Sequence, residues 1–201
     1  MEQKQQSGKR PLALPITLLI LVMSVMGNVL LYTKNIEHSR GKAEAEGLAV
    51  YTHFEKAREE LAYWIRLADE AAGAANANNE ASRITAAYLS EAIARGEGEL
   101  GALFLKAKEL DETRFGEAPQ AYESYIGRLG AFLAAIGKGS GPLSNDELEA
   151  LASSKSDFLE LDKLLGEFYY GGTDNRNVLV RLSGGHDWLT IAEKLQAAVL
   201  R

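Results

Sequence analysis

The hydrophobic and polar positions of this chain follow two different rules. From Leu12 to Tyr32 there is no charged residue and almost every side chain is apolar (LALPITLLILVMSVMGNVLLY). From Asn35 onward, apolar residues recur every three or four positions between charged ones. A helix that is apolar on every side belongs in lipid or a deep core, whereas a single apolar stripe suits a helix packed in water. At a rise of roughly 1.5 Å per residue the first stretch reaches about 30 Å, the thickness of a bilayer's hydrocarbon core. The pattern predicts a leader at 1–11, a transmembrane helix at 12–33 and a helical domain at 34–201.

Four long helices are predicted after the span. The first runs from Asn35 to Ala72, with Leu48, Tyr51, Phe54, Leu61, Trp64, Ile65 and Ala68 on its stripe. Gly41 and Gly47 weaken its start and suit a hinge above the membrane. Ala74 to Asn79 (AANANN) forms the turn. The second helix runs from Glu80 to Glu112 on Ile84, Tyr88, Ala92, Leu100, Leu103, Phe104, Ala107 and Leu110. Gly96, Gly98 and Gly101 interrupt it, each costing about 1 kcal/mol relative to alanine inside a helix. They fit a kink, a very close helix contact or a plain break with a short loop.

The third helix opens near Pro119, a residue suited to the first helical turn. Tyr122, Tyr125, Ile126, Leu129, Phe132, Leu133 and Ile136 make the cleanest stripe in the chain. It stops at Gly137, where GKGSGP is a linker. Ser144 and Glu147 then bracket a capping box. The fourth helix carries Leu148, Leu151, Phe158, Leu161, Leu165 and Phe168 and ends at Gly171-Gly172. Thr173 to Gly185 reads as a loop or helical turn, since a lone strand at 177–182 has nothing to pair with. A short last helix at 187–201 turns Trp188, Ile191, Ala192, Leu195 and Val199 inward. The fold class is all-α: one N-terminal transmembrane helix followed by an antiparallel bundle of four to five helices.

A cleavable signal peptide is the rival for the span. Its apolar core is usually shorter, about 7–15 residues, and ends in a small-x-small site. Here Ser24 and Gly27 make no such pair, and the absence of cysteine excludes a lipoprotein. Lys4, Lys9 and Arg10 precede the span, while Lys34, Arg40 and Lys42 follow it, so basic residues are balanced across it. Lys9 and Arg10 lie close to the apolar run. That signal-anchor arrangement places the leader in the cytoplasm and the large domain outside the cell membrane. Gly27 and Asn28 suit either the interface or a helix contact within the membrane.

Charge narrows the partners. The chain carries a net −6; residues 1–34 hold four positive and one negative charge, so the remainder carries −9. Such a domain is repelled by phosphate, which argues against nucleic acid as a partner and against lying flat on anionic lipid. The partners expected are the membrane and another protein, with a small-molecule ligand as an open alternative.

No catalytic, cofactor-binding or metal-ligating set emerges. His38, His53 and His186 have no second ligand at helical spacing, and the chain lacks E-x-x-H. His53 beside the inward stripe reads as a satisfied interior or rim histidine. GKGSG at 137–141 is not a phosphate loop: Phe132 occupies the place of the first glycine, and a helix precedes it where a strand is needed. SGGHDW at 183–188 strings together serine, histidine and aspartate, but a triad is a matter of spatial placement. It reads as a glycine turn, a helix start at Asp187 and a core Trp188. Glu109, Asp111, Glu112 and Glu117 read as a solvated face. The candidate interface residues are Gly96, Gly98 and Gly101, where something must offset the glycines, and the aromatic helix end Tyr169 and Tyr170.

AFLAAIG (131–137), PLSNDELEAL (142–151), the amphipathic helix after it and the late Trp188 helix together resemble the N-terminal helical region of YpeB-type germination proteins of spore-forming bacteria. That similarity covers about 70 residues, and this chain stops where that family continues into further domains. The resemblance implies an extracytoplasmic scaffold that stabilises a partner, with no catalytic residues. The expected function is therefore a single-pass, extracytoplasmic, non-enzymatic interaction or scaffold protein of a bacterial cell or spore envelope. The alternative is a bundle that senses a small ligand through a partner, since a leader of about eleven residues holds no output module.

Overall fold

A computed structural model of the chain describes residues 13–75, 79–96, 98–170 and 173–201. The predicted leader, half of the AANANN turn and the Gly171-Gly172 stop lie outside them. The ordered elements are α1 (Ala13–Ala74), α2 (Asn79–Arg95), α3 (Glu99–Leu110), α4 (Glu112–Phe115), α5 (Ala118–Lys138), α6 (Asn145–Leu165), α7 (Arg176–Ser183) and α8 (Leu189–Val199). Among the described residues every regular element is a helix. The chain divides into two compact units between Lys42 and Ala43.

In the first unit the large apolar side chains from Ile16 to Tyr32 stay exposed. Leu18, Leu19, Ile20 and Leu21 are 58–63% exposed in succession. Consecutive residues lie about 100° apart on a helix, so these four cover almost its whole circumference. This is one helix long and apolar enough to cross a membrane.

The second unit, from Ala43, has its own core. Phe54 from α1 stacks on Phe168 with centroids 3.9 Å apart and meets Trp188 edge-on at 6.2 Å. Trp64 packs against Phe158, and Phe104 against Tyr122. Phe54, Phe104, Phe115, Phe158 and Trp188 are fully buried. Ser144 caps α6 as its sequence predicts: its hydroxyl accepts from the Glu147 amide, and the Glu147 carboxylate accepts from the Ser144 amide. Pro119 falls in the first turn of α5.

The structure departs from the sequence pattern in several places. Ile84 and Tyr88 face outward, 48% and 61% exposed. The inward face of α2 is instead Ser82, Arg83, Ala86, Leu89 and Ile93. α2 runs close along α5: a side-chain carbon on Gly137 would lie 2.6 Å from the Ala87 methyl. The two polar residues are tolerated because both are bonded, Ser82 to the Ala71 carbonyl at 2.6 Å. Leu48, Leu110 and Phe132 also lie at the rim, while Leu133 is fully buried. Segment 177–182 is helical, within α7, and α6 stops at Leu165 before Phe168 folds back into the core. Gly47 forms no hinge: α1 is continuous through it, and a side-chain carbon there would lie 2.6 Å from the Leu179 carbonyl carbon. Its missing side chain lets α7 rest directly on α1.

Candidate functional site

The three glycines of the second predicted helix do different jobs. The helix ends at Arg95, and Gly98 sits before α3 with φ 66°, in the left-handed region that favours glycine. Nothing lies within 4 Å of where its side chain would be. Gly101, one turn into α3, would place a side-chain carbon 3.2 Å from the Tyr122 ring. It is a close approach inside the domain. Gly96 lies against Trp64, at 3.4 Å from its ring edge by the same measure.

This break builds a charged cluster. Glu99 opens α3, where a carboxylate suits the positive end of a helix. It is only 6% exposed. A buried carboxylate needs partners, and α1 supplies them from one face. The Glu99 carboxylate meets His53 Nδ1 and accepts from Lys56 Nζ at 3.1 Å. His53 is thus the satisfied rim histidine its position suggests. Its partner escaped the sequence reading because Glu99 lies 46 residues away. Beside this cluster, between α1 and α2, opens a cleft of about 540 Å³ with Trp64, Tyr63 and Tyr88 among its walls.

Tyr169 and Tyr170, the other interface candidates, point to opposite fates. Tyr169 is 88% exposed. Tyr170 packs on Phe168 at 4.8 Å, and its hydroxyl donates to Asp187 Oδ2 at 3.0 Å. Burial, then that bond to a carboxylate, pushes the Tyr170 hydroxyl up to about 12. Arg181 donates to the same Asp187 oxygen at 2.6 Å. Asp187 takes φ 71°, a turn conformation open to aspartate. Trp188 then enters the core and donates its indole N–H to the Leu182 carbonyl at 2.8 Å. The Ser183 hydroxyl donates to the Val180 carbonyl. The Ser183 bond stays within α7, while Asp187 ties the turn before α8 to Arg181 of α7 and to Tyr170.

The glycine linker has an occupant that the sequence reading missed. Arg83, 7% exposed, enters the loop and uses all five guanidinium N–H groups. They donate to the carbonyls of Ile136 (2.6 Å), Gly141 (2.9 Å) and Pro142 (3.0 Å), and to both Glu147 oxygens (2.9 and 3.1 Å). The loop therefore presents carbonyl oxygens inward, the opposite polarity to a phosphate loop's amides. Gly139 leaves room for the guanidinium: a side-chain carbon there would lie 2.7 Å from its central carbon. Hydrogen bonding to Arg83 holds the Glu147 carboxyl below its usual range. The available signal was a charged residue three before Ala86, on an inward face that demanded a partner.

Among the described residues no three histidine, aspartate or glutamate side chains converge as a metal site. Of the acidic group at 109–117, Glu109 pairs with Lys106 and Asp111 caps the Arg114 amide. No family model matches this chain, and no curated protein or solved structure matches it either.

Proposed function

We propose that this chain is a single-pass, membrane-anchored helical interaction or scaffold protein of a bacterial cell or spore envelope, with its domain outside the cytoplasm and no turnover chemistry. One observation carries the reading: the apolar side chains of α1 from Ile16 to Tyr32 stay exposed around the helix. Water penalises such a surface, and a bilayer accepts it without a partner. The second unit buries Phe54, Phe104, Phe115, Phe158 and Trp188 in a core of its own, so its role does not depend on lipid around it. Its negative charge keeps it off anionic headgroups and leaves its surface to a protein partner. The resemblance to YpeB-type germination proteins supports the spore envelope as the setting.

The anchor concentrates the domain at one membrane face, which raises the rate of meeting a partner held in the same plane. Tyr169 is the contact residue with the clearest support, because a tyrosine 88% exposed contributes little to its own fold. Fractionation should leave the protein in carbonate-washed membranes. Protease added to intact cells should destroy the domain and spare a cytoplasmic control; a protected domain overturns the topology. Tyr169→Ala should reduce recovery of the cross-linked partner without moving the unfolding midpoint. A second reading, a ligand-sensing domain that acts through its partner, is favoured by the cleft beside Glu99.

A further inference from the structure

The apolar stretch of α1 holds a few polar side chains, and they differ in how they are satisfied. The Thr33 hydroxyl donates to the Val29 carbonyl one turn back, at 2.9 Å. Asn28 has no such outlet: its side chain is exposed and makes no hydrogen bond among the described residues. It lies six residues past the middle of the Leu12–Tyr32 run. That is about 9 Å from the centre of a bilayer whose hydrocarbon half-thickness is about 15 Å. A carboxamide carries both N–H donors and a carbonyl acceptor, and lipid tails offer a partner to neither.

The residues above and below Asn28 form a seam with it. Thr17, Leu21, Ser24, Asn28 and Leu31 follow one another at spacings of four, three, four and three. At about 100° per residue they fall within an arc of about 80°. Such a repeat, averaging about 3.5 residues, is the one by which two helices wind around each other. Leu18, Val22, Val25, Met26 and Val29, on the other sides of the helix, are all apolar and suit lipid. Gly27 borders the seam. A side-chain carbon at Gly47 or Gly137 would strike a neighbour within the chain, whereas one at Gly27 would meet nothing within 4 Å. Gly27 thus leaves room for the backbone of another helix.

We infer that α1 pairs through this seam with α1 of a second copy of the chain, the two Asn28 carboxamides hydrogen-bonding to each other. A carboxamide is its own complement, since each can donate an N–H to the other's carbonyl. Two copies anchored in one membrane cross it in the same direction, so equivalent positions face each other across a two-fold axis. A single asparagine in such a seam also fixes the register and the number of strands. The inference rests on the membrane-anchored reading above and deepens it. Pairing brings two domains to one place on the membrane, which raises their avidity for a partner.

The chain has no cysteine, so single introduced cysteines report the seam directly. The test uses the purified full chain in phosphatidylcholine vesicles, oxidised with copper phenanthroline. Leu21→Cys and Leu31→Cys should give disulfide-linked dimers, while Val22→Cys and Met26→Cys, on the far side, should give few. In the Leu31→Cys chain, adding Asn28→Leu should cut the dimer yield about fivefold at a low protein-to-lipid ratio. Asn28→Gln, which keeps the carboxamide, should retain most of it. Cross-linking that is equal on all faces, or unchanged by Asn28→Leu, overturns the inference. Absence of dimers in vesicles that still carry the protein on flotation overturns the pairing and leaves the anchor standing. Failure of the protein to float with the vesicles overturns the anchor and the pairing together.

Discussion

Replacing Arg83 with methionine tests the most densely bonded side chain described in this domain. The apolar stem remains, and five hydrogen bonds disappear. The Ile136 carbonyl loses a buried partner at 2.6 Å, and Gly141 and Pro142 lose theirs at the rim. Glu147 keeps its bond from the Ser144 amide at 2.8 Å and its side chain is 25% exposed, so water can recover much of what the ion pair held. Removing the partner of a fully buried pair costs about 3–5 kcal/mol, and a carbonyl left unsatisfied about 1–3 kcal/mol. With the carboxylate rehydrated, the substitution should cost about 3–4 kcal/mol. For a domain of this size that is a fall in Tm of about 10 °C. Tryptophan emission is the suitable assay, because Trp64 and Trp188 both lie in the domain's core and neither lies in the apolar first unit. Arg83→Lys should recover only part of the loss, since an ammonium cannot fork to both Glu147 oxygens. A cost below about 1 kcal/mol for Arg83→Met would refute the idea that the guanidinium organises the linker. Strict additivity with Glu147→Gln would refute the ion pair's share of it.

Other predictions address other elements. Leu89→Ala, at a fully buried position, should cost about 2–5 kcal/mol in chemical denaturation, and Tyr88→Ala less than about 0.5; the reverse order would restore the stripe expected from sequence. Gly47→Ala should destabilise by about 1–3 kcal/mol, because its methyl meets the Leu179 backbone rather than a movable side chain; an unchanged midpoint would show that α7 does not rest there. The carboxyl of Glu147 is held below its usual value, so its contribution is present above the ordinary carboxylate range and is lost as pH falls through the depressed folded value. Glu147→Gln should therefore lower stability at pH 7 and flatten the acid limb of the stability curve; identical acid limbs would remove this group from the account.

The long apolar helix and the helical class were legible in the sequence because they depend on local composition. Twenty-one uncharged residues from Leu12 define a lipid-sized helix whatever follows it. The Ser144 capping box and Pro119 act within one turn, so their signals need no distant partner. The Trp188 stripe was equally clear, as each of its large side chains had one side to bury. The inward face of α2 was not legible. Hydrophobic spacing favours the largest apolar residues, and it chose Ile84 and Tyr88 over Ser82, Arg83 and Ala86. Whether a small or polar residue faces inward depends on how near the next helix comes and whether a partner awaits it. Both are properties of assembled helices. The same reason hid the Arg83 cradle and the Glu99 cluster, whose bonds join residues 40 or more positions apart. It also sorted the glycines, which look alike in sequence: Gly98 supplies a left-handed turn, and Gly101 and Gly47 make room for a neighbour. Local chemistry determined that this chain forms helices and that one of them suits a membrane. Only tertiary packing decided which faces close on each other, and so which charges and rings are left to meet a ligand or partner.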